Sequence, residues 1–154
     1  MKKKNIILLS TLVLLIDQAI KFIIINNMAL FETIKLNNIL KITYVKNTGG
    51  AFSILSGNTL FLSFIAVVCL MLFYRFFIYN KTLRKIDVIF YSLFIGGVLS
   101  NAFDRLIHKS VIDYIDVNLF NFPIFNLADI CIVISICVIV FDRGDFNGNK
   151  SNIR

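Results

Sequence analysis

Four long apolar runs organise the chain, at about 5–25, 59–79, 88–103 and 126–141. Each is close to the roughly 20 residues a helix needs to cross a bilayer core. The first is interrupted by Asp17, Gln18 and Lys21, and the second only by Arg75 near its end. The third holds small and hydroxyl residues among the apolar ones and ends at Asp104, while the fourth carries Asp129 in its first turn. Between these runs the pattern changes. Residues 39–46, Ile-Leu-Lys-Ile-Thr-Tyr-Val-Lys, are β-branched and aromatic in the manner of a strand, and they lead into the turn signal Asn47-Thr48-Gly49-Gly50. Residues 111–117, Val-Ile-Asp-Tyr-Ile-Asp-Val, read as a second strand, and Pro123 marks the boundary before the fourth run. The pattern predicts an α-helical integral membrane protein, a single domain over 1–154 with four transmembrane helices. Two longer loops, 26–58 and 104–125, form a small sheet on the membrane surface.

Composition agrees with this reading. Hydrophobic residues are 58% and charged ones 16%, against about 45–50% and about 25% in soluble chains. Mean hydropathy is +0.82. A soluble domain of 154 residues has too much surface to hide that much apolar side chain, and disorder is excluded for the same reason.

Charge sets the expected orientation. Lys2, Lys3, Lys4, Arg75, Lys81, Arg84, Lys85, Arg143, Lys150 and Arg154 flank the runs on one side, ten in all. Lys35, Lys41, Lys46, Arg105 and Lys109, five residues, lie on the other. Basic flanks stay in the cytoplasm, so both termini are expected there and both long loops outside. The net charge of +7 is thereby a topology signal, and with no basic stripe on one element nucleic acid is not an expected partner. The tri-lysine start resembles a signal peptide, but no small-residue cleavage pattern follows Ile16, so the first run is read as a retained span. Cys69, Cys131 and Cys137 all lie in apolar runs without paired spacing, and read as packing residues.

The candidate chemistry is narrow. With one histidine, His108, and one glutamate, Glu32, an H-E-x-x-H zinc site is impossible, and no cluster has metal-ligand spacing. No G-x-S-x-G accompanies His108, which reads as an interfacial residue, and Gly96-Gly97 inside a span reads as a close helix contact. Carboxylates remain. Asp17 and Asp129 lie in or at the edge of spans, where ionisable groups are costly, and Asp104, Asp113 and Asp116 lie in the outward segment. Two carboxyls held close share a proton, so one can activate water while the other protonates a carbonyl oxygen. Plainer readings stay open at this point. Asn126 to Asp129 is also a helix-capping pattern, Asp113 and Asp116 could be solvated, and Asp17 with Lys21 could be a structural lock. Asn101, Asp104 and Arg105 could simply end a helix at the headgroups. A proton- or ion-conducting protein would spread acids through the depth of the spans, whereas here only Asp17 lies well inside. A scaffolding subunit would need no paired acids. Glu32, Asp87, Asp142 and Asp145 read as ordinary solvated or interfacial charges.

In order along the chain, these residues resemble lipoprotein signal peptidase, the aspartic signal peptidase II family. Asp17 and Lys21 are similar to its D-x-x-x-K, and Asn47-Thr48-Gly49-Gly50-Ala51-Phe52 to N-x-G-x-A-F. The stretch from Gly96 to Arg105 resembles G-G-x-x-G-N-x-x-D-R, Val111 to Tyr114 resembles V-x-D-[FY], and Phe122 to Asp129 resembles F-P-x-F-N-x-A-D. The resemblance implies four membrane helices with a small extracytoplasmic β-cradle, and Asp113 and Asp129 as the catalytic dyad. Asp17, Lys21, Asn47, Gly49, Asn101, Asp104, Arg105 and Asn126 would line or brace the site, with Asp116 beside it. It implies diacylglyceryl-modified prolipoprotein substrates cut before the lipidated cysteine, no cofactor and no metal. The setting it implies is the bacterial cytoplasmic (inner) membrane, with a monomer surrounded by lipid. Ser100, Ile20 and Lys109 depart from the family pattern, at positions where Gly, a hydroxyl residue and Gly are usual.

Overall fold

A computed structural model of the chain describes residues 3–49, 57–119 and 122–148, with side chains of the last segment as far as Asp142. Gly50, Ala51 and Phe52 of the expected turn, and Lys2, Lys150 and Arg154 of the termini, lie outside the described residues, as do the side chains of Arg143 and Asp145.

The element order is α1 (Lys4–Asn27), β1 (Thr33–Lys35), β2 (Leu40–Asn47), α2 (Thr59–Phe73), α3 (Lys85–His108), β3 (Val111–Val117) and α4 (Leu127–Gly148). A π-helical turn, Tyr74–Ile78, continues α2. The helix α1, the stretch Thr59–Ile78 and the helix α3 are each long and apolar enough to cross a membrane. Much of the buried interior is polar, and much of the outer face is apolar. Ile7, Leu8, Leu15, Phe22 and Ile23 of α1 face outward, while Ser10, Asp17 and Lys21 face inward. That inversion suits a lipid solvent, where apolar side chains lose nothing by exposure and polar ones must find partners within the protein. Cys69 and Cys137 also face outward, so of the three cysteines read as packing residues only Cys131 is buried.

Helix α3 is the central element, packed against α1, α4 and α2. Two adjacent glycines allow this. A Cβ on Gly96 would lie 2.7 Å from the Ser10 carbonyl of α1, and one on Gly97 would lie 2.6 Å from the Ala128 carbonyl of α4. Any side chain there would force the helix backbones apart. At its start, Asp87 accepts the Arg84 backbone N–H at 2.8 Å, and the Arg84 guanidinium reaches both Asp87 and Asp142 of α4. Asp87 and Asp142 are thus joined through one cation rather than independently solvated. Away from the sheet, Phe73 stacks on Phe77 at 4.8 Å and meets Tyr91 edge-on at 5.2 Å.

Helix α3 is capped at its C-terminal end by Lys109, whose φ of 56° lies in the left-handed region. Glycine adopts that conformation without strain, and this is where the family pattern has it. Lys109→Gly is expected to raise stability by about 0.5–1 kcal/mol, read as a higher unfolding midpoint in detergent.

The sheet is antiparallel with order β1-β2-β3. Strand β1 is too short for a sequence signal. Strand β3 pairs Ile115 with Ile42 and Asp113 with Val45, so β2 carries one extra residue between them, a bulge that re-aims the following stretch. The segment before α4 is clamped to the same strand. Phe125 accepts the Ile115 N–H at 2.7 Å and donates its own N–H back at 3.1 Å. This clamp brings Asp113, two residues before Ile115, and Asp129, four after Phe125, to one end of the bundle.

Candidate functional site

Two layers of polar side chains lie at that end. The inner layer centres on Lys21, whose ammonium meets Asp17 Oδ2 at 2.7 Å, Asp104 Oδ2 at 2.8 Å and Asn101 Oδ1 at 3.0 Å. Three protons find three acceptors, as a fully buried ammonium requires. Asp17 Oδ1 accepts the Ala128 N–H in the first turn of α4 at 3.0 Å, and Asp104 Oδ2 accepts the Ile112 N–H of β3 at 3.1 Å. One ion cluster thereby joins α1, α3, α4 and β3. The expectation of a lock between Asp17 and Lys21 is met, with Asp104 as its third member.

The outer layer holds Asp113 and Asp129, and all four carboxylate oxygens have donors. Asp113 Oδ1 accepts from Asn126 Nδ2 at 2.7 Å, and Oδ2 from Asn47 Nδ2 at 3.1 Å. Asp129 Oδ1 accepts from Asn101 Nδ2 at 2.7 Å, and Oδ2 from the Asn126 backbone N–H at 3.2 Å. Asn126 Oδ1 accepts the Asp129 N–H at 2.9 Å, which completes the capping pattern read from the sequence. Capping does not exhaust Asn126: its backbone and Oδ1 serve the helix while its Nδ2 donates to Asp113.

The amide orientations are set from behind. Lys21 can only donate, so Asn101 turns its oxygen to the ammonium and its NH2 to Asp129. Asn47 uses its oxygen to accept the Gly49 N–H at 2.9 Å, which leaves its NH2 for Asp113. Arg105 holds the Gly49 carbonyl at 3.1 Å and the Asn101 carbonyl at 3.2 Å. Burial pushes Asp113 up to about 7 from the ordinary 3.8, and the neighbouring Asp129 adds to the shift. The Asn47 and Asn126 donors and the Lys21 charge oppose it.

Both carboxylates open onto a cleft of about 260 Å³. Asn47, Asn101 and Arg105 share its polar side, and Phe122, Phe125, Ile132 and Val133 form an apolar side. Asp17, Lys21 and Asp104 stand behind this wall, and Gly49 is tied to it through its carbonyl. Asp116, expected beside the site, is instead held across the sheet by Thr43 Oγ1 at 2.7 Å and takes no part in the cleft wall. His108 ends α3 in an exposed position.

Two contributors escaped the sequence reading. Gln18 Nε2 donates to Asp104 Oδ1 at 2.7 Å and to Ser100 Oγ at 2.9 Å, and Ser100 Oγ donates to Asp17 Oδ2 at 2.6 Å. Gln18 lies three residues before Lys21 on the same helix face, the one signal that could have found it. Ser100, a departure from the family glycine, adds bonds to the ion cluster rather than disturbing it.

An apolar helical bundle that turns a buried carboxylate pair toward an open cleft has the build of a membrane-embedded hydrolase. A family model described as signal peptidase (SPase) II matches residues 9–143. A lipoprotein signal peptidase of Wigglesworthia glossinidia brevipalpis is 35% identical over 148 residues, covering 94% of this chain and 95% of its own. That of Klebsiella pneumoniae is 43% identical over 140 residues, covering 84% and 82%. Two solved bacterial membrane enzyme structures superpose with TM-scores of 0.89 and 0.80. The first is 31% identical and covers 98% of this chain and 94% of its own; the second is 32% identical and covers 90% and 92%. The chain belongs to the signal peptidase II family. It is a bacterial membrane protease of the aspartic class, and its family removes signal peptides from prolipoproteins.

Proposed function

We propose that Asp113 and Asp129 are the catalytic dyad that cleaves diacylglyceryl-modified prolipoproteins immediately before the lipidated cysteine. The observation that carries this reading is the pinning of both carboxylates around Asn126 on the cleft wall. Like charges this close cannot both ionise in a buried site, so the pair shares one proton. Asp129, in the first turn of α4, lies at the positive end of a helix and is the partner suited to negative charge. Asp113, raised to about 7, is the partner suited to holding the proton at neutral pH.

A water between them loses a proton to Asp129 as its oxygen attacks the scissile carbonyl carbon. Asp113 gives its proton to the carbonyl oxygen. The tetrahedral intermediate then collapses: the C–N bond breaks, Asp129 protonates the departing cysteine nitrogen, and Asp113 recovers its proton from the oxygen. The pair ends with one proton, as it began, and no metal or cofactor takes part. The apolar cleft side suits both a signal-peptide helix and a diacylglyceryl group, and it keeps bulk water from the reacting carbonyl.

The topology belongs to the same proposal. Helix α4, apolar from 130 to 141, is a fourth span of a single domain. The excess of basic residues beside the helix ends away from the sheet supports cytoplasmic termini and an extracytoplasmic β-cradle in the inner membrane. The cleft is formed within one chain, so a monomer suffices.

The deciding assay follows cleavage of lipidated and unlipidated precursor by the purified enzyme. Only the lipidated form is expected to be cut, and equal cleavage of both would overturn the substrate assignment. Turnover is expected to fall as pH rises through about 7, because Asp113 then loses the proton it must donate. Rates that stay level from pH 6 to 9 would remove Asp113 as the acid.

A further inference from the structure

A second concavity, of about 390 Å³, lies at the end of the bundle opposite the dyad. Helices α1 and α2 both pack on α3, and a groove lined by α1, the π-helical turn that ends α2, and α3 opens between them. Ile7, Ile78, Ile95 and Leu99 give it apolar walls, and Lys3 and Lys4 stand at its mouth. One polar atom on its wall has no use within the protein. Ser10 Oγ is without a hydrogen-bond partner in a residue only 3% exposed. A buried hydroxyl left unsatisfied is costly, so such a group marks a place where a ligand oxygen can enter.

The charges around the mouth specify the ligand. Lys3 and Lys4 form no ion pair among the described residues, and Lys81 and Lys85 stand near the same end of the bundle. The two acids of described side chain at that end, Asp87 and Asp142, are both engaged by Arg84. Among the described residues, the mouth therefore presents two lysines without an ion-pair partner above an apolar slot.

We propose that this groove binds one anionic phospholipid, its phosphate between Lys3 and Lys4, an ester oxygen at Ser10 Oγ, and an acyl chain along Ile7, Ile95 and Leu99. Zwitterionic lipid fits the slot but gains little from the lysines, so the site discriminates by headgroup charge. Each basic residue near an anionic headgroup contributes about fivefold, which gives the pair a preference of roughly tenfold or more.

Native mass spectrometry of the detergent-released full chain tests this, with phosphatidylglycerol and phosphatidylcholine of identical acyl chains as probes. One phosphatidylglycerol is expected to be retained about tenfold more tightly than phosphatidylcholine. Lys3→Gln/Lys4→Gln should bring that ratio close to one. Because these lysines also contribute to orientation in the membrane, Leu99→Trp is the second variant: it fills the slot with both lysines intact, and both lipids should be lost. Equal retention of the two lipids by the unaltered chain would overturn the proposal. So would unchanged binding by the variants, retention of inorganic phosphate in place of lipid, or a dimer that disappears with Leu99→Trp.

Discussion

Asp129→Asn and Asp113→Asn each lower the rate of signal-peptide removal on the order of a thousandfold, while each variant still inserts and folds. The magnitude follows from the division of labour: one carboxylate must take a proton from water and the other must give one to the carbonyl oxygen. Loss of either acid–base group typically costs 10²–10⁴-fold. Asparagine keeps the shape and preserves acceptance from Asn101 or Asn47 through its oxygen, so the helix and sheet around it persist. The pair carries a single negative charge before and after the change, and the new NH2 faces one of the former donors, so a loss of about 1–3 kcal/mol is expected without loss of the fold. The measurement is single-turnover cleavage of a lipidated precursor, alongside the unfolding midpoint. Asp87→Asn serves as the contrast, since Asp87 caps α3 far from the cleft and its loss should leave turnover unchanged. Parental turnover by either dyad variant would sink the assignment.

Lys21→Met has the largest expected effect on stability. It leaves Asp17 and Asp104, both 0% exposed, without their common countercharge. Breaking a buried ion cluster by removing one partner costs about 3–5 kcal/mol, because the remaining charge stays desolvated. The unfolding midpoint in detergent is expected to drop on the order of 10 °C. Asp104→Asn in the same chain should restore part of the loss, since it removes one of the two stranded charges. A Lys21→Met variant as stable as the parent would mean that the cluster contributes nothing to folding. Activity should fall further than stability explains. Without the ammonium, the Asn101 oxygen keeps only the longer Asn126 Nδ2 bond at 3.2 Å among the described residues, and its NH2 is less firmly committed to Asp129.

Much of the architecture was legible because lipid exposure and strand pairing leave strong local patterns. Apolar runs located all four helices, although α3 extends from Lys85 to His108, beyond the expected 88–103. Its polar last turns belong to the helix because Asp104 and Arg105 find partners inside the protein. Strand β3 coincides with residues 111–117. Strand β1, three residues long, carries no readable period, and it exists only because β2 offers it an edge.

The candidate site divides along the same line. By itself the sequence determined the residue types available: few acids, one histidine, no paired cysteines, and so carboxylates as the remaining hydrolytic groups. It also determined the capping of α4, since Asn126 and Asp129 are three residues apart and their exchange is local. Only the tertiary structure decided which acids meet. Local pattern left Asp113 and Asp116 of one strand alike, and only the family resemblance separated them; in the structure Asp113 is bonded by Asn47 and Asn126 while Asp116 is held by Thr43. The β2 bulge, the Phe125 clamp and the close approach of α3 at Gly96 and Gly97 separate the two. Each joins residues far apart in the chain, and local sequence cannot encode the geometry of contacts that exist only after the chain has packed.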